Sequence, residues 1–223
     1  MDVCALPSCP HPLSDVQFRI ASLCRAHAVI PGMQGRCQHI KPNGDICGIE
    51  LDARGVHAAS CPSGGWRVRK HNAAVRSLGA WAEEHGAEVC YEQHVPTANT
   101  NCEARLDLII HHEKLRQPAL IDVTIVNAAV AEYISRGSST TDGAAADIAE
   151  GSKHRKYPGA TIIQFAIEDH GRLGEAAMRL IRQLAPADAG MRSRAVKDLY
   201  RRIGGVVQKL SADAVVTAMR TGR

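Results

Sequence analysis

The sequence predicts a mixed α/β protein, a sheet backed by helices, and three observations carry that prediction. Three apolar runs follow one another at 87–93, 105–111 and 119–127, the last of them enriched in β-branched residues. Helical patterns flank them, and a fourth apolar run at 160–167 follows a Gly/Ser/Thr-rich break and a further helical stretch. The resulting order is α-β-β-β-α-β-α. Composition agrees: 45% of the 223 residues are hydrophobic and 22% charged, enough apolar side chain for a real core and too little charge for a disordered chain. With 4% aromatic residues, Leu, Ile, Val and Ala must fill that core.

The elements follow in order. Cys4, Pro7, Cys9, Pro10 and Pro12 predict an irregular N-terminal extension, residues 1–35, ending in a short amphipathic helix near 16–23. Residues 36–65 are rich in Gly, Cys and His, turn at Pro42-Asn43-Gly44-Asp45, close at Ser63-Gly64-Gly65, and carry so few apolar side chains that they need a staple to be ordered. Val68, Val75, Leu78, Trp81 and Ala82 recur at helical spacing up to Gly86, a C-cap residue. After the three strands, residues 144–156 read as a helix, stopped by Pro158-Gly159 before the fourth strand. Leu173, Ala177, Leu180, Ile181 and Leu184 share one face of another helix that ends before Pro186. The core unit is thus residues 66–188, and residues 189–223 form a basic amphipathic C-terminal helix. Val196, Leu199, Ile203, Val206 and Leu210 lie on one side of it and Arg194, Lys197 and Arg201 on another. Gly204-Gly205 in its middle costs about 1 kcal/mol per glycine relative to alanine, which predicts a kink or two shorter helices.

Charge is distributed unevenly. The chain has 27 basic and 23 acidic residues, but residues 190–223 alone hold eight basic and two acidic ones. Arg194, Lys197 and Arg201 are therefore candidates for contact with a polyanion. The chain opens without a basic, then apolar, leader and has no run approaching the ~18 apolar residues of a membrane span, so a soluble, non-secreted protein, nuclear or cytoplasmic, is expected. In such a reducing setting the eight cysteines serve metal binding or packing rather than a disulfide framework.

Two constellations carry chemistry. Cys37, Cys47, His57 and Cys61 place four soft or borderline donors within 25 residues around a turn, as a structural zinc site requires; the competing reading is buried thiols beside a surface histidine. Ala58 and Ala59 stand where a deaminase-type catalytic zinc would need a glutamate two places after the histidine, which favours a structural ion. Cys4, Cys9, Cys24 and His27 form a weaker second quartet, and His39 could replace one ligand in either set. The second constellation is Asp107 in one strand and Asp122 in the next, each inside an apolar run where a carboxylate is costly to bury without a cation or hydrogen bonds. Paired carboxylates holding Mg2+ or Mn2+ are what phosphodiester hydrolysis requires. Glu92 is a third acidic candidate for that ion, and Lys153 or Lys156, ending a helix, could stabilise the charge that develops on phosphorus. Arg69, Lys70 and His71 open the first core helix, where they could face a phosphate backbone.

Taken in order, Cys37/Cys47/His57/Cys61, Gly64-Gly65, Lys70-His71-Asn72, Glu92, Arg105-x-Asp107, Ile121-Asp122-Val123-Thr124 and Lys153-x-x-Lys156-Tyr157 resemble the restriction-like endonuclease region of site-specific non-long-terminal-repeat retrotransposon polyproteins. The resemblance covers roughly residues 36–185. It implies a restriction-endonuclease-like α-β-β-β-α-β core of the PD-(D/E)xK class behind a zinc motif, with metal-dependent nicking of DNA as its activity. Asp107 and Asp122 take the metal-binding positions of that class. Leu106 stands in place of its proline and Thr124 in place of its lysine, so the resemblance implies a lysine from the following helix, Lys153 or Lys156, with Tyr157 beside it. It also implies DNA as a partner, in company with a reverse transcriptase or retroelement RNA, and a chain that is a standalone relative, a fragment of a larger product or a decayed copy. Two rivals remain: a catalytically inert, zinc-stabilised nucleic-acid-binding module, and a protein-interaction domain that uses zinc only to fold.

Overall fold

The computed structural model describes residues 12–96, 103–154 and 161–220, with the side chains of 95–96, 103–104 and 152–154 excepted. Its elements are α1 (Asp15–Arg25), α2 (Val56–Ser60), α3 (Trp66–Glu84), β1 (Glu88–Pro96), β2 (Glu103–His111), β3 (Ala119–Val126), α4 (Ala131–Ile134), α5 (Ala144–His154), β4 (Ile162–Glu168), α6 (Glu175–Leu184) and α7 (Ala189–Met219). The α-β-β-β-α-β-α order of the core is present. The short helices α2 and α4 have no counterpart in the sequence reading, because four or five residues are too few to establish a periodicity.

The four strands form one mixed sheet in the order β1-β2-β3-β4. β1 and β2 are antiparallel, as are β2 and β3, whereas β3 and β4 run parallel and are joined through α5. One face of the sheet is thickly covered. Leu108, Ile110, Ile121, Val123, Phe165 and Ile167 pack there against Leu78 and Trp81 of α3, Leu180 and Ile181 of α6, and Leu199, Ile203 and Val207 of α7. The opposite face is covered thinly, by Ala145, Ala146 and Ala149 of α5 lying over Val126 and Ala166.

Helix α7 departs from expectation in two ways. It is one continuous 31-residue helix, unbroken at Gly204-Gly205. It is also the spine of the molecule rather than an appendage. Its first half belongs to the sheet core, and Ala212, Val215 and Ala218 of its second half form a second core with Ile20, Ile30, Met33, Leu51, Ala58 and the buried cysteines Cys37 and Cys61. The glycines explain why the helix does not break. A Cβ built on Gly171, in the turn after β4, would lie 2.6 Å from the Cα of Gly204, so two backbones touch where no side chain fits. Gln208 Nε2 donates to the carbonyl of His170 at 2.8 Å and ties the same turn to α7. Tertiary contact thus offsets the helix-propensity cost of the glycine pair.

Gly171 also has φ +93°, a conformation that penalises any side chain. Gly171→Ala is expected to destabilise the protein by more than about 2 kcal/mol in urea denaturation; an unchanged midpoint would show that this backbone contact is not made.

Candidate functional site

Cys37, Cys47, His57 and Cys61 come together as the sequence spacing predicted. Their ligand atoms all lie within 4.8 Å of one another, and no other group of three or more His, Cys, Asp or Glu side chains that could hold a metal occurs among the described residues. Neighbouring separations are 3.8 Å for Cys37 Sγ to Cys61 Sγ, 3.6 Å for Cys61 Sγ to Cys47 Sγ, and 3.5 Å for Cys47 Sγ to His57 Nε2. Tetrahedral zinc with Zn–S of about 2.3 Å and Zn–N of about 2.0–2.1 Å has edges of about 3.8 and 3.5 Å. Donor set and spacing therefore fit, and the cluster could hold a metal such as zinc.

The local chain builds this arrangement. Cys37 N–H donates to the Ile49 carbonyl and Cys47 N–H to that of His39, closing a narrow loop around the Lys41–Asp45 turn. Asp52 then accepts from the amides of Arg54, Val56 and His57, which starts α2 and sets His57 opposite the thiols. Burial pushes the Cys37 thiol up to about 12 and raises Cys61 as well. Cys47 is lowered: burial opposes its charged form, but the Ile49 amide and hydrogen bonds with Cys61, Cys37 and Ser63 outweigh it. A bound cation is what would hold all three as thiolates in so crowded a space. His39 is not a member. It is buried, with Nε2 2.8 Å from the Ala214 carbonyl of α7. Of the second quartet, Cys4 and Cys9 lie outside the described residues, and Cys24, raised to about 11 by burial, lines a small cavity of about 30 Å3 with His27.

Asp107 and Asp122 occupy a fork in the sheet. The β2–β3 ladder ends at the pair Leu108 and Ile121, so the two aspartates are the first residues beyond it, one on each strand. Past that point the Asp107 carboxylate takes the place of a backbone partner: its Oδ2 accepts the Val123 N–H at 2.6 Å and lies 3.1 Å from His71 Nε2 of α3. The alternation of β2 slips there too. Leu108 faces α3, while Leu106 and Ile109 share a cluster with Leu120 and Ile162 on the other face, which leaves Asp107 free to turn toward His71. β1 is bent at the same level. Tyr91 pairs with Leu108 and Gln93 with Leu106, and Glu92 between them has φ +50°, a strained value for a residue with a side chain.

Asp122 points to the face covered by α5. It is 9% exposed, its register neighbour on β4 is Gln164, and Thr124 follows on the same face. Gln164 Oε1 and Thr124 Oγ1 are buried without hydrogen-bond partners, as are His39 Nδ1, Glu150 Oε1 and Arg201 Nε elsewhere among the described residues. Sequence reasoning missed Gln164, although a lone amide inside Ile162-Ile163-Gln164-Phe165-Ala166-Ile167 breaks an apolar strand just as Asp122 does. Helix α5 is fixed over this face at its start, where buried Glu168 accepts from the amides of Ala145 and Ala146. Glu168 also meets His170 at 2.9 Å; burial opposes the imidazolium, but hydrogen bonds with Asp169 and Glu168 raise His170 to about 9.

The remaining candidates are scattered. Glu92 is exposed and paired with Arg105 at 3.2 Å. Lys153 lies in the last turn of α5, whereas Lys156 and Tyr157 fall outside the described residues. Arg69 is exposed and stacks over Trp66 at 4.8 Å. Lys70 does not face solvent. It is 4% exposed, and Nζ donates to the Ala59 carbonyl of α2 at 2.8 Å and to Ser211 Oγ of α7 at 3.3 Å, with burial lowering its pKa. A second tether runs from Asn127, just after β3, to Ser60 Oγ at 2.7 Å. Arg194 and Lys197 are exposed and Arg201 half-buried. Arg194 and Lys197 are far from the fork, because neighbouring Ala195 accepts from Trp81 Nε1, ten residues and about 15 Å along α3 from His71.

No family model matches the chain, and no curated protein matches it in sequence. Among the described residues, no helix is long and apolar enough to cross a membrane.

The cluster makes a direct prediction. Purified protein is expected to carry one zinc per chain. Stripping it with a strong chelator should lower the melting temperature by more than about 10 °C, because the second core closes around Cys37 and Cys61. Metal-free protein with an unaltered melting curve would reduce the cysteines to packing.

Proposed function

We propose that this protein is a metal-dependent endodeoxyribonuclease with a restriction-endonuclease-like core, related to retroelement integration nucleases. The observation that carries the proposal is the placement of Asp107 and Asp122 immediately beyond the last β2–β3 pair, with their strands parting between them. Asp107 leans toward His71 of α3 and Asp122 toward the α5 side, so Mg2+ or Mn2+, which takes one or two protein oxygens and fills its shell with water and substrate phosphate, would have to be shared across the gap where the strands part. A divalent ion bound there would supply Lewis-acid polarisation of a phosphodiester.

The chain's own residues do the rest. The Val123 amide and His71 hold the Asp107 carboxylate in one orientation, so little is lost in ordering it when it binds a cation. Asp122 sits in a nearly dry setting, where its charge acts strongly on whatever lies beside it. Thr124 cannot supply a positive charge. In this reading Lys153, in the last turn of the helix that packs over the Asp122 face, or Lys156 takes that part. The zinc-type cluster is structural, since all four of its donors come from the protein and leave no open position.

A second reading, an inert nucleic-acid-binding module, is favoured by Thr124 in the lysine position and by the pairing of Glu92 with Arg105. Plasmid nicking separates the two. Wild-type protein with Mg2+ or Mn2+ is expected to convert supercoiled DNA to open circles, and Asp107→Asn and Asp122→Asn should each slow this by about 100-fold or more while DNA binding persists. Binding without metal-dependent nicking by the wild type would establish the inert module.

A further inference from the structure

We propose that the cleft beside the fork receives a single unpaired nucleotide of a DNA strand, its base against Tyr133 and its phosphate against Arg67. The proposal rests on the nuclease reading and specifies the form of the substrate.

The cleft exists because the sheet opens. β2 no longer pairs with β3 beyond Leu108 and Ile121, and the edge of β3 from Val123 to Val126 lines a space of about 560 Å3 instead of meeting a strand. That volume is within the range of about 300–1,000 Å3 of sites that enclose a small molecule. A duplex is too wide to enter and can only lie across the mouth. The walls divide by chemistry. Val68, Val123, Val130 and the half-buried ring of Tyr133 offer apolar surface, and Tyr133 is backed on its other side by the small-residue cluster of Val126 and Ala128. Such a wall accepts the face of any base. The exposed Arg67 contributes a positive charge from the first turn of α3, with the His71 imidazole beside it, and Lys70 and Asp169 line the same space.

Position strengthens the match. His71 is also the partner of Asp107, so a phosphate drawn to this side of the cleft arrives beside the carboxylate that would hold the divalent ion. Thr124 lines the same cleft with a buried hydroxyl that lacks a partner. Binding one extruded or single-stranded nucleotide here places its base in the cleft and its phosphate at the fork, whereas paired DNA would have to be opened first.

The test uses the full zinc-loaded chain without added magnesium, with fluorescence anisotropy on a 20-nucleotide strand and on the blunt duplex of the same sequence. The strand is expected to bind at least tenfold more tightly, and a 2-aminopurine within it should be quenched on binding. Tyr133→Ala should weaken strand binding about tenfold and abolish the quenching, with duplex affinity unchanged within about twofold. Tyr133→Phe should behave as wild type, and Arg67→Gln should reduce the slope of log affinity against log salt by about 0.7. Because Tyr133 is partly packed, melting curves accompany each variant, and the exposed Arg67 supplies an independent reading. Equal affinity for strand and duplex, or strand binding indifferent to a folded Tyr133→Ala, would overturn the proposal. Strand preference without plasmid nicking would keep the cleft and remove the nuclease, and nicking without strand preference would do the reverse.

Discussion

Burial of α7 is the constraint on which the rest of the structure depends. A helix of 31 residues spans about 46 Å, and from Ala195 onward this one carries a buried stripe that meets different partners along its length. Leu199, Ile203 and Val207 complete the sheet core, and after one turn Ala212, Val215 and Ala218 complete the core of the zinc-type module. Each bulky aliphatic side chain removed from water contributes about 1.5–3 kcal/mol, so neither core would close without its half of the helix. The two units, separate in sequence, are therefore joined along a common rod.

Polar side chains refine that joint. Lys70 reaches from α3 to the backbone of α2 and to α7, and Asn127 reaches from the end of β3 to the last residue of α2. Lys70 starts next to the fork, adjoining His71, which meets Asp107, whereas Asn127 follows the far end of the strand that carries Asp122. Both end on α2, between or beside the ligands His57 and Cys61. A buried ammonium with two hydrogen bonds is costly to strand, so any loosening of α2 is felt at α3. Through Lys70 the cluster's module is tied to the helix that carries His71.

Much of this was legible in the residues. The apolar runs read correctly as strands, most plainly the β-branched run of β3, because a half-buried sheet selects such side chains, and the Cys/His spacing correctly predicted that the four side chains cluster. The aspartates stood out as carboxylates in apolar strands. What was not legible was tertiary. Residues 190–223 read as a basic helix following the core, and the partners of its apolar stripe, which lie elsewhere in the chain, were not visible in the residues. Lys70 looked like a surface cation because nothing local shows that Ala59 and Ser211 wait for it. Gly204-Gly205 looked like a break, since only the approach of Gly171 reveals its purpose. The fork itself depends on where a ladder stops, and the slip of alternation at Asp107 and the strain at Glu92 have no signature in composition or period.

The central claim is that Asp107 and Asp122 form one divalent-cation site at the parting of β2 and β3. The most direct measurement is electron paramagnetic resonance titration of Mn2+ into zinc-loaded protein, wild type against Asp107→Asn and Asp122→Asn, with zinc content followed in parallel. The account predicts one Mn2+ site in the wild type, lost or weakened at least about tenfold in each variant, with zinc retained throughout. Mn2+ binding that is absent from the wild type, or unchanged by either substitution, would contradict it.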